Sequence, residues 1–384
     1  MAAELNDPLL PDQLKEVADG RQTRGDFLKG CWVLFIFSAS AALQALLWIL
    51  PGTLSTSLEK SYADSFGPNT IQNMYIVGSF CFFPSTVIAA YAMERYGLRV
   101  CTITNILVLT GISALRFGAQ ADSQLSLILW YLAALLVGVS GPMTMALPGY
   151  LAEHWFTNTQ RATATAIAVE AATVGSALGY LLPGMVPQST MKDLNRVSYL
   201  CLGLCGGLLL CCAYFPSGPS VPPSRSARAD TIVGTGTEAS PQSTVTFASM
   251  WSALRALARN SQFLVLVCVY GGVLGFNGAW STTLNLNLSH AGLNEDAAGY
   301  IGFSGMMVGN IVGLVAGRLA DRFHRMKPVL LVLLTANVAA LVVFSGAAQP
   351  LVHLSPKASL ATIWVAAVVS NASLYGAGRG ACFP

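Results

Sequence analysis

Over 384 residues, 54% are hydrophobic and only 10% are Asp, Glu, Lys or Arg, with a mean hydropathy of +0.57. A water-soluble domain carries about 25% charged residues, so that class is excluded. The net charge is only +3, and the nine cysteines lie mostly inside apolar runs, where a thiol behaves as a small hydrophobe rather than as part of a disulfide framework. Residues 1–29 are polar and of mixed charge, lack the early apolar core of a cleaved signal peptide, and read as an N-terminal tail. Within it "NDPLLPD" places Leu9 and Leu10 after acidic residues, as in a dileucine sorting signal read by an adaptor and directing a protein to lysosomes. The plasma membrane is the alternative address.

A bilayer core needs about 20 apolar residues per helix. Such runs recur at 31–50, 71–93, 100–118, 126–150, 162–183, 197–215, 262–286, 298–317, 328–347 and 359–378. The ten predicted helices make this an all-α multi-pass membrane protein. On the first, Gln44 and Trp48 are four residues apart and share a face. The turn after the second, "YAMERYGLR", holds Glu94, Arg95 and Arg99. Arg116 closes the third and is expected to snorkel to the interface. Glu170 lies inside the fifth. An intramembrane acid is costly and by default functional; it suits proton coupling, or it faces a cavity with a structural partner. Cys201 and Cys205 on the sixth are spaced for a soft metal or for plain packing.

Residues 217–260 are rich in Ser, Pro, Gly and Thr and read as a flexible linker, ending in an amphipathic stretch, "SMWSALRALARN", suited to a membrane surface. The expected organisation is a tail (1–29), six helices (30–216), the linker (217–260) and four helices (261–384). On the seventh helix Tyr270, Asn277 and Trp280 are separated by about two and three turns and so share a face. With Gln44 and Trp48 they supply indoles, a phenol and amides, fit for a flat heteroaromatic or cationic ligand. The two tryptophans also fit an interfacial belt. Asn287 opens a glycosylation sequon, Asn-Leu-Ser. After the eighth helix, "GRLADRFHRMK" gathers Arg318, Asp321, Arg322, Arg325 and Lys327 between runs free of formal charge.

If the N-terminus is cytosolic, the inside loops hold fifteen Lys and Arg, against Lys60, Arg116, Lys192, Arg196 and Lys357 on the other side. That is a positive-inside bias. The turns after helices two and eight repeat an acid, an Arg, an aromatic and further cations: Glu94, Arg95, Tyr96 and Arg99, then Asp321, Arg322, Phe323 and Arg325. Anchoring alone explains the cations but not an acid at the same place twice, which points to gating and to an internal six-helix repeat.

These turns resemble the signature loop of the major facilitator superfamily, G-x-L-A-D-R-x-G-R-(R/K). "WFTNTQRATATAIA" (155–168), "AYFPSGPSVPPS" (213–224), "VYGGVLGFNGAWS" (269–281) and "GYIGFSGMMVGNIVGLVAGRLAD" (299–321) further resemble solute carrier family 49. The resemblance implies two six-helix halves, here with a truncated second half. It also implies alternating access and a small organic cargo of the pyridoxine, amine or haem type, probed by helices one and seven, with protons as a possible co-substrate. It implies no enzyme, resident cofactor, metal or nucleic-acid partner. A shortened, non-transporting form that modulates a full-length sibling is the rival expectation.

Overall fold

A computed structural model describes residues 24–67, 69–186, 190–216, 218, 247–285, 288, 294–323, 326–348, 361–370 and 372–373. The dileucine, most of the linker, Asn287 and Arg325 lie outside the described residues.

Helix α1 (Arg24–Thr53) leads into a short helix α2 (Ser55–Ser61). Two of the expected spans then form one continuous element, α3 (Thr70–Gly118), broken only at Gly97 with φ 73° and ψ 176°. The two limbs are antiparallel: Tyr75, near the start, and Arg116, near the end, both reach the same turn of α1, at Ile49 and Leu47. This end of the bundle is called the Pro51 end and the opposite one the Gly97 end. Helix α4 (Gln124–Trp155) returns to the Gly97 end, where Phe156 meets Phe27 edge-on. Helices α5 (Asn158–Gly179) and α6 (Met191–Cys211) complete six spans.

Small residues set the packing distances. A Cβ on Gly138 of α4 would lie 2.1 Å from the Gly78 carbonyl of α3, and one on Gly175 of α5 would lie 2.0 Å from the Ala42 carbonyl of α1. Backbones approach this closely only where neither helix has a side chain in the way. The core of this first lobe runs from Val33 and Phe37 through Ile106, Trp130 and Leu151 to Cys205 and Phe215.

The second lobe contains α7 (Phe247–Ala258), α8 (Ser261–Thr282), α9 (Glu295–Phe323), α10 (Met326–Ala348) and the short apolar helix α11 (Ala361–Ser370). Helix α7 falls where the amphipathic stretch is expected, with Trp251, Leu254 and Leu257 exposed. A separate apolar cluster joins the lobes: Ile49, Ala177 and Tyr180 from the first pack with Trp280, Leu284, Ala298, Ile301 and Phe344 from the second.

Gly97 occupies a backbone region that is essentially glycine's alone, and a Cβ there meets no atom within 4 Å, so any cost of replacement is conformational. Gly97→Ala should lower unfolding stability by about 1–3 kcal/mol. Gly111→Ala, on the helical part of α3 and equally unobstructed, should leave it unchanged or raised. Thermal unfolding of both purified variants checks this.

Candidate functional site

The site is built around the end of α1. Gln44 is buried against α4, where a Cβ on Gly141 would come within 3.3 Å of its amide nitrogen. One turn on, the half-buried Trp48 lies over Gly78 and meets Tyr75 edge-on, with centroids 5.9 Å apart. Ile49, the next residue, belongs to the cluster that holds Trp280, whose indole stands edge-on to Phe344 at 5.4 Å. Gln44 and Trp48 thus pack against α4 and α3 of the first lobe, while Trp280 stands in the interlobe cluster with Ile49. Tyr270 and Asn277 are on α8, but their side chains lie outside those described.

Above these residues the lobes are joined by hydrogen bonds. The Glu295 carboxylate, in the first turn of α9, accepts from the Ser57 amide at 2.8 Å and the Ser57 hydroxyl at 2.5 Å. The Asn285 amide donates to Glu295 at 3.2 Å and to the Ser55 hydroxyl at 2.8 Å. The Tyr180 phenol donates to the Ser281 carbonyl at 2.7 Å, while its ring seats against Gly302. An acid at a helix N-terminus is favoured by the local dipole, so Glu295 can serve α9 and bind Ser57 at once. Its position one residue into a helix was the available signal; nothing in the sequence pointed to Ser57.

Beside this junction a groove is lined by Ser55, Glu59, Gln72, Tyr75, Thr282 and Thr283. Partial burial, and then the charge of Glu295, push the Glu59 carboxyl above the ordinary carboxylate range. Neutral Glu59 therefore suits the closed junction, and ionised Glu59 opposes it.

The Gly97 end is different. Ser261, Gln262, Phe263, Leu264 and Val265, the first five residues of α8, are all exposed. Successive helix positions turn by about 100°, so five in a row sample the whole circumference. None of these five positions is buried. Glu94, Arg95 and Arg99 are exposed around Gly97. Arg161 donates to the carbonyls of Glu153 at 3.3 Å and Phe156 at 3.4 Å at the end of α4. Asp321 and Arg322 fall in the last turn of α9, with side chains outside those described. Glu170 is half-buried on α5.

One expectation is corrected. Arg116 does not snorkel: only 3% of it is exposed, and its Nη2 donates to the Leu47 carbonyl at 2.9 Å. Its guanidinium lies over the Trp130 ring, 5.0 Å from the centroid. A backbone carbonyl in need of a donor drew it inward.

The family model for the Major Facilitator Superfamily matches residues 32–384. The chain belongs to that superfamily. Within it the chain also belongs to solute carrier family 49: the "Solute carrier family 49 member 4 homolog" of Xenopus tropicalis is 30% identical over 334 residues, covering 82% of this chain and 67% of that protein. The human "Choline/ethanolamine transporter FLVCR2" is 24% identical over 323 residues, covering 82% of this chain and 58% of that protein. Among solved structures, the xylose transporter XylE from E. coli, in a partially occluded inward open conformation, matches with TM-score 0.62 at 13% identity over 91% of this chain and 83% of that one. A bacterial homolog of the human lysosomal transporter Spinster gives 0.58 at 15% identity, covering 91% and 74%. These likenesses show the major facilitator fold. The superfamily and the relatives are transporters, not enzymes.

A cysteine at Thr282, which is 8% exposed, reports on closure at the Pro51 end. Glu295→Gln should raise its labelling by an impermeant maleimide several-fold, because a neutral amide accepts from Ser57 more weakly than a carboxylate, a loss that outweighs the relief of repulsion with Glu59. Glu59→Gln at neutral pH should lower it. A carboxyl whose pKa is raised in the closed form favours that form at low pH and loses the benefit as pH rises through the raised value. Labelling, normalised to an exposed control cysteine, should therefore fall on acidification from pH 8 toward 5 and do so less in Glu59→Gln.

Proposed function

We propose that this major facilitator chain carries a small organic solute by alternating access and that the structure represents its inward-open state. The observation that carries the reading is the asymmetry between the ends: lobes hydrogen-bonded at the Pro51 end, and the first five residues of α8 all exposed at the Gly97 end. The positive-inside bias puts the N-terminus, and hence the Gly97 end, in the cytosol. In that orientation Glu295 and Asn285 seal the lumenal or external face.

The cargo site in this reading uses Gln44, Trp48, Tyr270, Asn277 and Trp280. Aromatic faces with a few amides suit an amine or a flat pyridoxine-like ring, and the relatives named for choline and ethanolamine support an amine. Haem-type cargo belongs to the same range of organic solutes. Glu170 is the residue proposed for proton coupling, since an ionisable carboxyl inside an apolar span is costly and by default a candidate for a proton relay. The turns bearing Glu94, Arg95, Arg99 and Asp321, Arg322, Arg325 form the opposite, cytosolic gate, engaged when the inside closes. Leu9 and Leu10 bind a sorting adaptor and send the protein to the lysosomal membrane, and Asn287 faces the lumen for glycosylation.

Uptake of radiolabelled choline, ethanolamine and pyridoxine into proteoliposomes, with and without a pH gradient, tests the reading. At least one should accumulate above protein-free vesicles. Trp48→Ala should weaken its apparent affinity about tenfold, the range of one desolvated cation–π contact. Glu170→Gln should abolish the response to the gradient. No uptake of any of the three contradicts the cargo class, and unchanged affinity in Trp48→Ala removes the aromatic site.

A further inference from the structure

Proline lacks an amide hydrogen, so within a helix it leaves the carbonyl four residues earlier without its donor. In α1 that proline is Pro51 and the carbonyl is Leu47. The donor is replaced from another helix: Arg116 Nη2 lies 2.9 Å from the Leu47 oxygen. Two residues further on, Tyr75 donates to the Ile49 carbonyl at 3.0 Å and accepts from the Gly52 amide at 2.8 Å. The turn at Pro51 is thus held by two side chains, one from each limb of α3. Nε and Nη1 of Arg116 have no hydrogen-bond partner among the described residues. A fully buried guanidinium without a carboxylate is costly, and packing alone does not call for a charge there.

We propose that Arg116 is a positioning residue: by donating to the carbonyl that Pro51 orphans, it fixes this turn of α1 and thereby the register between the cargo wall and the interlobe junction. The turn it grips, Leu47 to Pro51, includes Trp48 and lies between Gln44 on one side and Thr53, Ser55 and Ser57 on the other. The latter three hold Asn285 and Glu295 of the second lobe. Releasing Leu47 lets the segment after Pro51 swing, and the junction loses its register while the first-lobe core stays packed. The arginine is needed because the prolyl ring is there. This inference rests on the alternating-access reading only for its consequence in transport. Failure of wild-type uptake would strike that reading and leave the comparison below intact.

The test is a double-mutant cycle in the full chain, in nanodiscs, read by maleimide labelling of a cysteine at Thr282. In the wild-type background Arg116→Met should raise the labelling rate about tenfold. In the Pro51→Ala chain, where an amide again serves Leu47, the same substitution should change the rate less than twofold. Equal effects of Arg116→Met in both backgrounds would overturn the proposal, as would no effect in either. If Arg116→Met alone does not yield folded protein, recovery of folded protein on adding Pro51→Ala supports it, and failure of the double variant contradicts it.

Discussion

A peptide carbonyl inside a bilayer has no water to accept from, and leaving it without a donor costs several kcal/mol. Much of the fold is a response to that constraint at prolines. Pro51 orphans the Leu47 carbonyl, and Arg116 is drawn from the end of α3 to satisfy it. Pro142 orphans Gly138 in the same way, and the Ser85 hydroxyl of α3 points to that oxygen at 3.5 Å, a long contact beside its stronger bond to Phe82. At both places the break is tolerated because the facing helix is close enough to help. The glycines make it close: Gly78 against Gly138 brings α3 onto α4 at this level.

The same constraint links local geometry to function. A helix held at Pro51 presents polar atoms of Thr53, Ser55 and Ser57 beyond the proline, and these are the groups that the second lobe binds. Hydrogen bonds between neutral and singly charged groups are each worth about 1–3 kcal/mol, strong enough together to hold one end shut and weak enough to exchange during a cycle. Apolar contact at Tyr180, Trp280 and Phe344 adds area to the seal. A junction built of several modest contacts is one that a carrier can open at thermal cost. A single strongly paired buried ion pair would not be.

The spans were legible because a bilayer imposes their length and apolarity, and each of the ten expected segments coincides with helix over most of its described residues. The hairpin at Gly97 was legible from the charged turn around it, although its left-handed backbone was not. The charge bias and the repeated turns carried the superfamily, since acids and cations placed twice at equivalent points are rare in so apolar a chain. The junction was not legible. Ser57, Asn285 and Glu295 are ordinary polar residues near span ends, and only the folding of residues more than 200 positions apart brings Ser57 to Glu295. Arg116 was misread for a related reason. Its position at the end of an apolar run fits snorkelling, and the demand that pulls it inward arises at Pro51, on a different helix. Composition and spacing report what each helix needs from the bilayer, whereas these residues answer needs created by neighbours.

The central claim is that the two lobes exchange contact between the Pro51 and Gly97 ends. Distances between spin labels at Lys60 and Asp296, on the exposed rim of one end, and at Arg95 and Arg259, at the other, test it most directly. Without cargo, the account expects a short 60–296 distance with a long 95–259 distance. Glu295→Gln, or a bound cargo, should add a second population in which the first lengthens while the second shortens. If both pairs keep one unchanged distance under every condition, or lengthen together, the lobes do not alternate and the account is wrong.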